Sequence, residues 1–267
     1  MIFDFCLDLI YLSAMLFYLA SLIFGAIVGS FLNVCILRIP EGKSIIYPAS
    51  HCPRCQSPIM WYDNIPIISY FILTGKCRNC REPISFRYPL VELLTALFSL
   101  AAMIMFGPSP AYFVYFAFIS SLIVITFIDL DHQIIPDIVS LPGIPLGFLA
   151  SFVLPYITYK ESLIGILLGG GILFLIAVGY EFLAKKEGMG GGDVKLLAMI
   201  GAFLGWKGVL FTVFSGSLVG TVIGVTIMVA QGKDSKYAIP FGPFLSFGAL
   251  LYLFFGETII YWYLGML

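Results

Sequence analysis

Charge is what this chain most lacks. Asp, Glu, Lys and Arg together make up 11% of its 267 residues, while 60% are hydrophobic. That is too apolar for a soluble domain of this size and places the chain in a lipid bilayer. A net charge of −1 supplies no concentrated positive field and points away from a nucleic-acid partner. Histidine is nearly absent as well. His51 and His132 have no partners at metal-ligand spacing, so neither is assigned to catalysis. The N-terminus lacks the basic start of a secretory signal and carries Asp4 and Asp8 instead. Residues 9–37 form an uncharged run too long for a signal's apolar core, which predicts a retained membrane helix.

Apolar runs are plentiful. A crossing helix needs about 20 apolar residues, and candidates begin near Leu9, Leu90, Ala111, Ile138, Ser162, Val209 and Ile239. An eighth, residues 196–206, is short, but Lys195 reaching the headgroups makes a thin or tilted crossing feasible. In the first run, Gly25 and Gly29 have the spacing that lets helix backbones approach closely. With eight crossings, residues 38–89, 129–137, 181–195 and 231–237 share one face and hold twelve of the fourteen Lys and Arg. The excess of cations makes that face cytosolic. The sequence predicts an all-α polytopic membrane protein of about eight transmembrane helices. Its expected parts are a first helix (1–37), a small cytosolic insert resembling a zinc ribbon (38–89) and a helical core (90–267).

The insert contains Cys52-Pro-Arg-Cys55 and Cys77-Arg-Asn-Cys80. Two such pairs separated by 21 residues make a four-thiolate tetrahedral site, most simply for structural zinc, with iron the rival metal. Disulfides are the other use of paired cysteines, but a cytosolic loop is kept reduced. Metal binding would supply folding free energy that so short a segment struggles to find in a core of its own. Cys6 and Cys35 lie in or near the first helix and read as packing residues.

Acids at membrane boundaries are costly, and here they cluster. Asp129, Asp131 and Asp137 follow the third apolar run, and Asp193 follows the glycines Gly190-Gly191-Gly192. The two segments are joined by one helical hairpin, so Asp129 and Asp193 fall on the same face and can meet. Two carboxylates sharing a site do not both ionise easily. One can deprotonate a water while the other donates to a scissile carbonyl oxygen, which is peptide hydrolysis without a metal. An interhelical glycine linker ending in an N-cap aspartate accounts for Asp193 equally well from spacing alone. A phosphate loop is excluded by the missing Gly-Lys-Ser/Thr ending. Glu92 is either a buried partner or part of a second site. A proton or cation path would place acids near the membrane midplane, whereas these aspartates lie at helix ends.

Gly29-Ser-Phe-Leu-Asn-Val34 with Arg38 and Pro40, the two cysteine pairs, Arg87-Tyr-Pro-Leu-Val-Glu92, residues 129–137, residues 190–196 and Pro240-Phe-Gly-Pro243 follow one another along the chain. Taken in that order they resemble the bacterial type IV prepilin peptidases, leader peptidase and N-methyltransferase enzymes of the GxGD aspartyl protease group. The resemblance implies that Asp129 and Asp193 are the catalytic pair, with Asp131 competing for the first place. It implies a multi-pass protein of the bacterial cytoplasmic membrane with its active site facing the cytosol. The substrate would be a prepilin or pseudopilin cut after a glycine, with membrane lipid as the surrounding partner. The new N-terminus would be methylated from S-adenosylmethionine. No glycine-rich dinucleotide fingerprint marks a site for that methyl donor.

Overall fold

The computed structural model describes residues 2–184, 190–231 and 240–265. Among these residues the protein is helical, and the only strand-like pairings are the isolated bridges His51–Pro58 and Lys76–Pro83. The helices are α1 (Ile2–Arg38), α2 (Ile68–Ile72), α3 (Arg87–Phe106), α4 (Pro110–His132), α5 (Asp137–Ala150), α6 (Tyr159–Ala184), α7 (Gly191–Gln231) and α8 (Gly242–Gly265). They form two compact units, residues 1–124 and 125–267, with the division falling inside α4.

The expected apolar runs all become helix. Among the described residues, five stretches are long and apolar enough to cross a bilayer: residues 12–38, 87–106, 110–132, 191–230 and 242–263. Asp137–Ala150 is a shorter apolar helix. Large apolar side chains such as Met15, Phe113, Leu175, Phe214 and Val229 stand exposed on these helices. Outward-facing apolar surface on this scale suits a lipid environment. Residues 185–189 and 232–239, which carry part of the expected basic loops, lie outside the described residues.

In the first unit α1 packs against α3. A Cβ added at Gly25 would stand 2.6 Å from Ser99 Cβ, and one at Gly29 would stand 2.7 Å from Glu92 Cα. The paired glycines therefore set how closely the two helices approach. Polar groups inside this contact are satisfied locally. The Ser99 hydroxyl hydrogen-bonds to the Ser21 carbonyl (2.7 Å) and to the Tyr112 hydroxyl (2.8 Å), and Asn33 Nδ2 donates to the Tyr88 carbonyl (3.1 Å).

In the second unit α7 is two helices joined at Gly205, whose φ of 70° and ψ of −177° are open to glycine and almost nothing else. Gly169 meets Leu197 and Gly165 meets Gly201, so α6 runs antiparallel to the first leg, Gly191 to Leu204. Gly216 meets Phe244 and Gly248 meets Thr212, so α8 runs antiparallel to the second leg. The expected short segment at 196–206 and its successor thus exist as separate legs, and among the described residues the apolar helices number approximately the eight expected. The first leg also lies parallel to α5, with Gly143 on Met199 and Gly147 on Phe203. Both α5 and the first leg are fourteen residues long, about 21 Å at 1.5 Å per residue.

Candidate active site and metal centre

The two cysteine pairs sit in matching turns twenty-five residues apart. In the first, the Cys52 N–H donates to the Ser57 carbonyl (2.9 Å) and the Gln56 N–H to the Cys52 carbonyl (2.9 Å). In the second, the Cys77 N–H donates to the Glu82 carbonyl (2.8 Å) and the Arg81 N–H to the Cys77 carbonyl (3.1 Å). Gln56 and Arg81 both take positive φ, 58° and 60°, one residue after each second cysteine. Pro58-Ile59 and Pro83-Ile84 repeat at the same interval. The full repeat, Cys-x-x-Cys-x-x-Pro-Ile, is legible in the sequence beyond the cysteines alone.

The turns bring the four Sγ atoms within 4.8 Å of one another. Cys52 and Cys80 lie 3.8 Å apart and Cys55 and Cys77 4.0 Å apart. A tetrahedron with Zn–S bonds of about 2.3 Å has edges of about 3.8 Å, so the cluster fits zinc. It does not fit disulfides, whose sulfurs stand about 2.05 Å apart. Electrostatics agree. The Cys55 thiol is lowered to about 6, first by the Ser57 hydroxyl and then by the Ser57 backbone N–H. Cys80 is pushed up to about 12 although the Glu82 N–H favours its thiolate, because burial and the other three sulfurs oppose a further charge. A dication removes that opposition.

The aspartates are positioned by helix ends. α4 stops where Gln133 takes a φ of 55° and donates its N–H to the Asp129 carbonyl (2.9 Å). Pro136 then caps α5 from an extended conformation. Asp129 lies in the last turn of α4, 5% exposed, and its Oδ2 accepts the backbone N–H of Gly242 at 2.9 Å. Asp193 is the third residue of α7, half-buried, and within electrostatic reach of Asp129. Gly192 places the start of α7 against Ile135, and Lys195 grips both carboxylate oxygens of Asp137 at 2.8 and 2.9 Å. The ends of α4 and the starts of α5, α7 and α8 therefore converge on the pair.

The other acids go elsewhere. Asp131 is exposed, about 200° round the helix from Asp129. Glu92 belongs to the first unit, where its Oε2 accepts the Ile67 N–H at 2.7 Å. His132 is exposed at the end of α4. Gly242 is the site residue that sequence reasoning missed. Its segment was noticed, but nothing in Pro-Phe-Gly-Pro shows that an amide would bond a carboxylate 113 positions away.

Among the described residues, fold and site together define a helical protein rich in apolar helices, with two neighbouring aspartates at helix ends and a cluster of four cysteines that could hold a metal ion. Residues 23–106 match the Bacterial Peptidase A24 N-terminal domain, and residues 116–225 match the Type IV leader peptidase family. The chain is 36% identical to a prepilin leader peptidase/N-methyltransferase of Aeromonas hydrophila, covering 93% of this chain and 94% of that one. It is also 36% identical to proteins of that name from Pseudomonas aeruginosa (93% and 93%) and Xanthomonas campestris (90% and 92%). The chain belongs to the prepilin leader peptidase/N-methyltransferase family. No solved structure matches it.

Proposed function

We propose that this protein is the peptidase that removes prepilin or pseudopilin leaders and methylates the N-terminus so exposed, with Asp129 and Asp193 as its catalytic pair. The observation that carries the peptidase assignment is the convergence of these two carboxylates where four helix ends meet, one held by the Gly242 amide. With one Oδ2 occupied by that amide, Asp129 offers its other oxygen to the reaction.

One carboxylate takes a proton from a water, whose oxygen attacks the carbonyl carbon of the bond to be cut. The other carboxyl delivers its proton to the carbonyl oxygen. The tetrahedral diol then collapses: the C–N bond breaks, the leaving amine takes a proton from the carboxyl that deprotonated the water, and a diol hydroxyl gives its proton to the other carboxylate, so the pair regains its starting state. Neither step calls on the cysteine cluster.

Cys52, Cys55, Cys77 and Cys80 hold a structural zinc in this reading, and the metal gives residues 38–89 their shape. S-adenosylmethionine is the methyl donor. The active site faces the cytosol of a bacterial cytoplasmic membrane, supported by the cation excess on its face of the chain.

The test is cleavage of a purified prepilin by the protein in vesicles, with and without S-adenosylmethionine. Asp129→Asn and Asp193→Asn each abolish leader removal, and Asp131→Asn does not. Wild-type trimming by either of the first two would sink the assignment. Methyl transfer is read separately, on a substrate already trimmed, and survives both changes.

A further inference from the structure

The exposed apolar surface of the insert has a definite place. Ile68, Phe71 and Ile72 of α2 are 57%, 66% and 68% exposed and occupy positions i, i+3 and i+4, one face of a helical turn. The opposite side is tied down by Ser69, which is buried, donates to the Tyr62 carbonyl (3.1 Å) and accepts the Ile65 N–H (3.0 Å). Three large side chains are thus held outward on a rigid support.

The depth of α2 follows from its contacts with α3. The Ile67 N–H, just ahead of α2, bonds Glu92, which also accepts a hydrogen bond from Ser30. Glu92 is five residues beyond Arg87, about 7.5 Å along an apolar helix long enough to cross the bilayer. Tyr70 packs edge-on against Phe86, at the mouth of α3, with ring centres 6.2 Å apart. The Glu92 side chain leans back toward the start of α3, so the beginning of α2 lies level with the first turn of α3, at the height where headgroups meet acyl chains.

The backbone is bent to achieve this. Ile67 has φ 63° and ψ −52°, and the Ile68 N–H reaches back to the Pro66 carbonyl at 2.6 Å. A β-branched residue rarely enters so tight a turn, and Glu92 holds the amide that the turn presents. Lys76 and Arg81 stand exposed beyond α2, where anionic headgroups would meet them.

We infer that α2 is an in-plane membrane anchor: Ile68, Phe71 and Ile72 insert at the bilayer interface, and Glu92 is the positioning residue that fixes their depth through Ile67. The occupant of this surface is lipid, as a continuation of the lipid-facing surface of α1 and α3, to which the insert is tethered at both ends. The expected cytosolic insert is then partly a membrane element.

The experiment uses the full chain in vesicles, with Trp61, Trp206 and Trp262 replaced by Phe and a single reporter introduced as Phe71→Trp. The expected result is a blue-shifted emission that is lost in vesicles of brominated phosphatidylcholine and is insensitive to aqueous iodide. Quenching by iodide and not by bromine would overturn the anchor. Protection from both quenchers would also overturn it, since a protein surface would then cover the site. Ile72→Trp is the second reporter should the first fail to give native helicity by circular dichroism. Glu92→Ala is expected to make the reporter iodide-sensitive, and Glu92→Gln, which keeps an acceptor, to leave it in lipid. An unchanged reporter in Glu92→Ala would remove Glu92 from the inference.

Discussion

A methyl group added at Gly242 would stand 2.6 Å from Asp129 Oδ2 and 3.2 Å from its Cγ. The carboxyl must then swing away from its partner, or α8 must retreat and lose the amide bond. Gly242→Ala is therefore expected to lower kcat for leader removal about 100-fold, the scale of a misplacement near 1 Å. KM for prepilin and the melting temperature in detergent should change little. A variant with full turnover would show that this contact does not set the geometry. The same locality explains what the sequence could not decide. Asp129 and Asp131 both end an apolar helix whose flanks, Ile128 and Leu130, are apolar on either side. With no polar face to orient α4, only packing reveals that Ile128 and Asp129 turn inward while Leu130 and Asp131 turn out.

Two elements carry expectations of their own. The paired cysteine turns should hold one zinc per chain, measured by elemental analysis of the purified protein. Cys52→Ser or Cys77→Ser should release it and open residues 39–86 to protease. A protein that never contains metal would contradict the four-sulfur geometry. Gly205 is the second case. Its conformation is nearly closed to residues with a Cβ, so Gly205→Ala should cost about 1–3 kcal/mol of stability, read from the unfolding midpoint in detergent. The cysteine motif was legible because zinc ligands must recur at short intervals, whatever surrounds them. The break in α7 was half legible: run lengths suggested two segments, but Gly205 is one glycine among 27 and only its dihedrals mark it. The helix α2 was not legible at all, because five residues are too few to show a period.

For the molecule as a whole, the membrane environment was plain from composition, and the grouping of Asp129 with Asp193 followed from counting crossings. Counting marked residues 196–206 as a short crossing, but it did not show that α5 is equally short. α5 and the first leg of α7 measure about 21 Å, against about 30 Å for the hydrocarbon of a typical bilayer. Both begin at the aspartates, with Asp137 and Lys195 clasped between their first turns. Set in a bilayer, a wall that short would draw the lipid surface down beside it and bring bulk water to a depth that full-length neighbours would keep dry. Lipid chain length then becomes a rate control. Reconstituted into thicker bilayers, the protein should cleave prepilin more slowly, each added ångström costing a fraction of a kcal/mol, and recover its rate in thinner ones. Rates independent of thickness would mean that the hydrolytic water arrives by another path. Where the rate does follow thickness, the fatty acids of the membrane set the pace of leader removal.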